Sequence, residues 1–203
     1  MENNLNTRKS KRYKTQTVVG MGMLTAVIVV LQIVASQIKF GPFSITLCLA
    51  PIIIGAALYG RKAGAWLGFV FGLTVLLTGD AALFMTINVP GTIATVLLKG
   101  AVSGVAGGAV YGLLEKKGEF IAVIISGIAA PVANTGVFLL GCVLFFLDAC
   151  KEWGAGLGYD NVFAYMLLGM TGLNFLVELA INMVLSSAIV FIIGLVKKRI
   201  RTS

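Results

Sequence analysis

The stretch from Asn88 to Lys117 limits the possible folds more than any other part of the chain. From Gly91 to Leu114 its only ionisable groups are Lys99 and the phenol of Tyr111. Wound as a helix, that segment reaches about 36 Å, more than the roughly 30 Å of hydrocarbon in a bilayer. In lipid each backbone N–H and C=O needs a partner within the protein, and a lone apolar run meets that need only as a helix. Gly100, Gly104, Gly108 and Gly112 recur every fourth residue and make a bare ridge along one face. Such a ridge lets a neighbouring backbone come close. Directly above it stands Lys99. An ammonium in hydrocarbon is costly, so it turns inward, towards a counter-charge or a ligand.

The rest of the chain has the same character. Of 203 residues, 58% are hydrophobic and 12% charged, with a mean hydropathy of +0.97. A soluble domain carries about 25% charged residues. The expected class is an all-α integral membrane protein built as one domain. A net charge of +8 does not point to nucleic acid here, because the basic residues lie at the ends of apolar segments rather than in one patch. Cys48, Cys142 and Cys150 have no metal-ligand spacing. The first two fall inside spans and read as small apolar fillers. The chain has no histidine, the commonest general base and metal ligand. It has no Gly-x-x-x-x-Gly-Lys-Ser/Thr sequence, hence no P-loop of its own. Without a nucleophile–base pair or a metal cluster, no enzymatic activity, cofactor or metal is expected.

Six spans emerge in chain order. Met1 to Gln16 carries Arg8, Lys9, Lys11, Arg12 and Lys14 and reads as a retained basic tail. Span 1 covers about Thr17 to Ser36. An apolar loop follows, with a turn at Gly41-Pro42 between Phe40 and Phe43. Spans 2 and 3, Leu47 to Gly60 and Ala63 to Thr78, meet at Arg61-Lys62. Gly60, Gly64, Gly68 and Gly72 form a second ridge. Pro90 suits the first turn of span 4. Span 5, Phe120 to Leu147, reaches roughly 42 Å, so it must tilt, protrude or break, with Pro131 the expected kink. Asp148 to Asn161 reads as a polar loop. Span 6, Val162 to Val196, holds one charge, Glu178.

This arrangement gathers the tail, Arg61-Lys62, Lys116-Lys117 and the cluster Lys197-Lys198-Arg199 with Arg201 on one side. The other side has only Lys39 and Lys151. Such an excess of Lys and Arg marks the cytoplasmic side. The expectation is a compact six-transmembrane-helix bundle with both termini cytoplasmic: a basic tail (1–16), a membrane domain (17–196) and a basic C-terminus (197–203).

The polar residues inside the spans are Gln32, Lys99, Asn134, Asn174, Glu178 and Asn182. Asn174, Glu178 and Asn182 share one face of span 6. The expected substrate-binding set is Lys99, Asn134, Thr135, Asn174 and Glu178, joined by Phe40 and Phe43 of the first loop and by Asn88 ahead of span 4. Lys99 would supply the charge for an anionic group. The competing reading is that Lys99 and Glu178 only neutralise each other while the asparagines bond across helices.

Three stretches resemble the substrate-binding S components of energy-coupling factor vitamin transporters. In span 1, Gly22-Met-Leu-Thr-Ala26 followed by Val30-Leu31 resembles the small-xxx-small motif by which those proteins dock on a transmembrane partner. Glycine replaces the family's usual first alanine. The apolar hairpin from Leu49 to Gly68 resembles the family, and Pro131-Val-Ala-Asn-Thr-Gly136 in span 5 is similar to its riboflavin and pantothenate branch. The resemblance covers about Thr17 to Val196. It implies a subunit of the bacterial plasma membrane that binds a small-molecule vitamin from outside, under a closing first loop. It also implies docking, through Gly22 and Ala26, on a coupling subunit that carries two ATPase subunits. Hydrolysis there would topple the S component towards the cytoplasm. Pantothenate is favoured within the family, because its carboxylate would explain Lys99. Riboflavin is neutral and folate is larger. A stand-alone secondary transporter using Lys99 and Glu178 as a relay is the reading outside the family.

Overall fold

The computed structural model describes the backbone of residues 2–40, 43–44 and 46–202, and the side chains of residues 15–38 and 46–198. The Gly41-Pro42 turn and the side chains of Phe40 and Phe43 lie outside the described residues. The described residues are helical apart from short connections and one pair of two-residue strands. Helix α1 (Glu2–Ala35) leads to β1 (Lys39–Phe40) and β2 (Phe43–Ser44), which pair antiparallel. Then follow α2 (Leu49–Tyr59), α3 (Arg61–Thr78), α4 (Ala82–Met85), α5 (Val89–Leu114) and α6 (Glu119–Phe145). The chain closes with α7 (Leu147–Gly156), α8 (Val162–Ala164), a π-helical turn (Tyr165–Met170) and α9 (Gly172–Thr202). Among the described residues, four helical stretches are long and apolar enough to cross a membrane: Thr15–Ala35, Val89–Leu114, Glu119–Phe145 and Val162–Lys198. We call the end bearing α4 and α7 the upper end.

Helix α2 is short for its apolarity because it has no lipid to meet. Every residue from Leu49 to Ala56 is buried, as expected of a helix that is apolar all round. Gly60 then turns the chain at a positive φ of 89°, which a side chain would strain.

The two glycine ridges are the two halves of one seam. A Cβ built on Gly64 would collide with the Gly104 carbonyl, and one on Gly104 with the Gly64 carbonyl. Gly68 and Gly100 oppose each other in the same way, and a Cβ on Gly72 would come within 2.6 Å of the Val96 carbonyl. Helices α3 and α5 therefore run antiparallel at backbone contact. At the lower end, Lys197 ties three helices together. Its ammonium donates to the Tyr111 hydroxyl at 2.9 Å and pairs with Glu119 at 3.1 Å and Glu115 at 3.6 Å.

Several elements differ from expectation. Most of the basic segment expected as a tail belongs to α1. The polar loop after span 5 contains α7, whose Cys150 and Gly154 are buried. The alternation of Leu147, Cys150 and Trp153 with polar residues is a helical pattern. Helix α6 carries on through Pro131 rather than breaking there. Span 6 is interrupted near its top by the π turn, in which the Thr171 N–H reaches back five residues to the Met166 carbonyl.

Candidate functional site

Lys99 is carried on α5, on the turn above Gly100, where contact with α3 leaves no room for a side chain on the glycine. Its ammonium lies 5.3 Å from the centre of the Phe138 ring and 5.9 Å from that of Phe71. An ammonium over aromatic faces is attracted by their π electrons. Among the described residues, no ion pair within 4 Å includes Lys99. The lysine opens on a cavity of about 60 Å³ enclosed by α1, α3, α5, α6 and the top of α9.

Of the expected residues, Lys99, Asn134, Thr135, Asn174 and Glu178 all line that cavity. Glu178 is only 3% exposed and Asn134 only 4%. Thr46 faces the Glu178 carboxylate with its hydroxyl and its backbone N–H. The other carboxylate oxygen, Oε2, and Asn134 Oδ1 have no hydrogen-bond partner. A buried acceptor left unsatisfied is costly, so these two atoms are prepared for a donor. Asn182 lies one turn below, where its amide donates to the Glu178 backbone carbonyl at 2.8 Å.

Asn88 is not among the cavity residues. It caps α5 by accepting from the Gly91 N–H at 2.9 Å. That role follows from Asn ahead of Val-Pro-Gly, a helix-start signal. The side chains of Phe40 and Phe43 fall outside the described residues.

Sequence reasoning missed other members of the lining. Gln32 donates to Asp80 at 2.6 Å, and both line the cavity. A glutamine in an apolar span was the available signal for Gln32. Asp80 had none, since it follows the left-handed Gly79 at a helix end and reads as a connection. Thr171 comes to the cavity through the π turn, a feature frequent at functional sites and silent in sequence. Above Phe138, the Phe84 ring packs at 5.5 Å, and Phe146 and Trp153 join Phe84 at 5.0 and 5.6 Å. This aromatic cluster covers one side of the Lys99 pocket.

The cavity thus combines one ammonium, two carboxylates, amides and hydroxyls beneath aromatic rings. It can bind a small polar molecule. Among the described residues, no group of three or more His, Cys, Asp or Glu could hold a metal ion. The family model for the substrate-specific component of ECF transporters matches residues 16–194. The chain belongs to this family. No curated protein and no solved structure matches it. Family membership makes the chain a substrate-binding subunit that works with the ECF module, in keeping with a multi-pass helical membrane protein. The S component carries its expected docking pair on the outside: Gly22 and Ala26 are exposed, and a Cβ on Gly22 would meet nothing within 4 Å.

Proposed function

We propose that this S component captures pantothenate for ATP-driven uptake across the bacterial plasma membrane. The observation that carries the reading is Lys99, held over two rings at a cavity with no carboxylate within ion-pair distance among the described residues. An anionic ligand would give that ammonium its partner. Asn134 Oδ1 and Glu178 Oε2 each lack a hydrogen-bond donor, and pantothenate offers two hydroxyls and an amide N–H besides its carboxylate. The cavity is small for pantothenate, riboflavin and folate alike. At about 60 Å³ it is below the roughly 300–1,000 Å³ of a drug-sized site. Binding therefore includes outward movement of the lining.

Uptake is driven by the partner: a coupling subunit docks on the Gly22–Ala26 face of α1, and two ATPase subunits act through it. On the six-span reading, the basic-residue asymmetry supports a cavity that opens outside and termini that lie in the cytoplasm. Native mass spectrometry of the purified protein, with calorimetric titration of pantothenate and its alcohol analogue pantothenol, tests the substrate. Retained pantothenate and a clear preference for the acid are expected. Retained riboflavin or folate, or equal affinity for acid and alcohol, would overturn the assignment.

A further inference from the structure

Helix α1 joins the bundle along a narrow buried strip. Ile28, Gln32 and Ala35 are buried, while Met23, Val30 and Val34 are more than half exposed. Gly22 and Ala26 belong to the exposed surface. Gln32 belongs to the strip, and it alone among the described α1 residues lines the cavity. It is 1% exposed and donates to Asp80 Oδ2 at 2.6 Å, across 48 residues of sequence. A hydrogen bond to a carboxylate is among the stronger ones. The Cys48 thiol holds the same strip, 3.5 Å from the Ile28 carbonyl and 3.8 Å from Gln32 Oε1. Asp80 follows Gly79, which ends α3 in the left-handed conformation. It lies in the turn between α3 and α4 and belongs to no helix. Asp80 and Glu178 line the same cavity as Lys99.

We propose that the Gln32–Asp80 hydrogen bond couples occupancy of the cavity to the docking face of α1. The inference rests on the reading that α1 docks on the coupling subunit. An anionic ligand on Lys99 takes up positive charge that Asp80 otherwise shares. Asp80 then bears more strongly on Gln32, and α1 is held in one orientation. Ala26 lies six residues further down the helix, about 9 Å at 1.5 Å per residue. A loaded cavity thereby presents Gly22 and Ala26 in fixed register, and by reciprocity a docked α1 raises affinity for the ligand.

The test measures docking of the full chain, in lipid nanodiscs, on the coupling subunit with its ATPases. Wild type, Gln32→Met, Asp80→Ala and the double variant are compared without ligand, with pantothenate and with pantothenol. Pantothenate should tighten wild-type docking roughly 5-fold or more, and pantothenol should not. Both single variants should lose that effect. Without ligand, each single variant should weaken docking and the double variant should weaken it no further, because both break one bond. A pantothenate effect that survives in the variants, or ligand-free docking that the variants leave unchanged, would overturn the coupling. Failures of the underlying readings look different. Normal docking by Gly22→Leu would remove α1 as the docking helix. Failure of pantothenate to bind wild type would remove the substrate, leaving the ligand-free comparison to decide the coupling.

Discussion

Lys99→Met keeps most of the side-chain volume and removes the charge, so it separates two roles for one residue. If the ammonium holds a ligand carboxylate, truncating a buried charge pair costs about 2–5 kcal/mol, or roughly 30- to 5,000-fold in affinity. The loss should fall on pantothenate and be much smaller for pantothenol, as titration of both would show. If Lys99 served only Glu178, the single variant would lose stability and Lys99→Met with Glu178→Gln would recover folding and binding together. The geometry favours the first outcome, because Lys99 stands over Phe71 and Phe138 and Glu178 takes its hydrogen bonds from Thr46. A second variant reads the orphan acceptor. Asn134→Leu removes an oxygen that only a ligand or water satisfies, so affinity should fall about 10-fold or more while thermal stability changes little. Unchanged affinity would place Asn134 outside the recognition surface. The polar residues legible in the sequence were those within apolar helices, where a charge or amide stands out against hydrocarbon. Asp80 and Thr46 lie in connections, where polar residues are ordinary. Only the three-dimensional path of the chain brings them to Lys99.

At the scale of elements, the seam between α3 and α5 makes the sharpest prediction. Alanine usually stabilises a helix over glycine by about 0.5–1 kcal/mol. At Gly68 or Gly104 the added methyl would meet a backbone carbonyl of the facing helix, at Gly100 and Gly64 respectively. A carbonyl in a helix cannot rotate away, so the helices would have to separate. Overpacking costs typically about 1–3 kcal/mol, enough to reverse the propensity gain. Gly68→Ala and Gly104→Ala should therefore lower the unfolding temperature in detergent. Gly112→Ala, with nothing within 4 Å of its Cβ, should leave it unchanged or raise it. Equal effects at all three positions would show that the seam is not packed as described. Both ridges were visible as a four-residue period, but sequence alone did not pair them. Pairing depends on which helices are neighbours, and the short loop through α4 decides that. Helix α7 and the π turn were missed for different reasons. Helix α7 carries glycines and polar residues that mimic a loop, and packing of Cys150 and Trp153 into the upper aromatic cluster overrides that local preference; the π turn, Tyr165-Met-Leu-Leu-Gly-Met170, is apolar and reads as part of one continuous span.

The number of membrane crossings is a property of the whole molecule, and α2 shows why length alone misjudges it. At 11 residues it reaches about 17 Å, short of a bilayer. That limit applies only to a helix facing lipid. Other helices enclose α2, so its end groups can be satisfied within the protein at any depth. The α2–α3 hairpin can therefore count as two crossings although, among the described residues, four helical stretches qualify by length and apolarity. The two arrangements of charge are unequal. The lower end of the bundle holds Arg61, Lys62, Lys116, Lys117, Lys197 and Lys198, whereas the upper end has Lys39 and Lys151. Basic residues near span ends stay on the cytoplasmic side, so the lower end should be inside and the cavity should open outward. Tags at either terminus, or a single cysteine introduced at Lys117 in a cysteine-free background, should react with impermeant reagents only after the cells are opened. A cysteine introduced at Leu157, beyond α7, should react in intact cells. A C-terminal tag reached from outside would require an odd number of crossings. Lys197 would then lie on the far side from Arg61, which is incompatible with one bundle in which Lys197 bonds Tyr111 and a Cβ on Gly108 would press on Arg61.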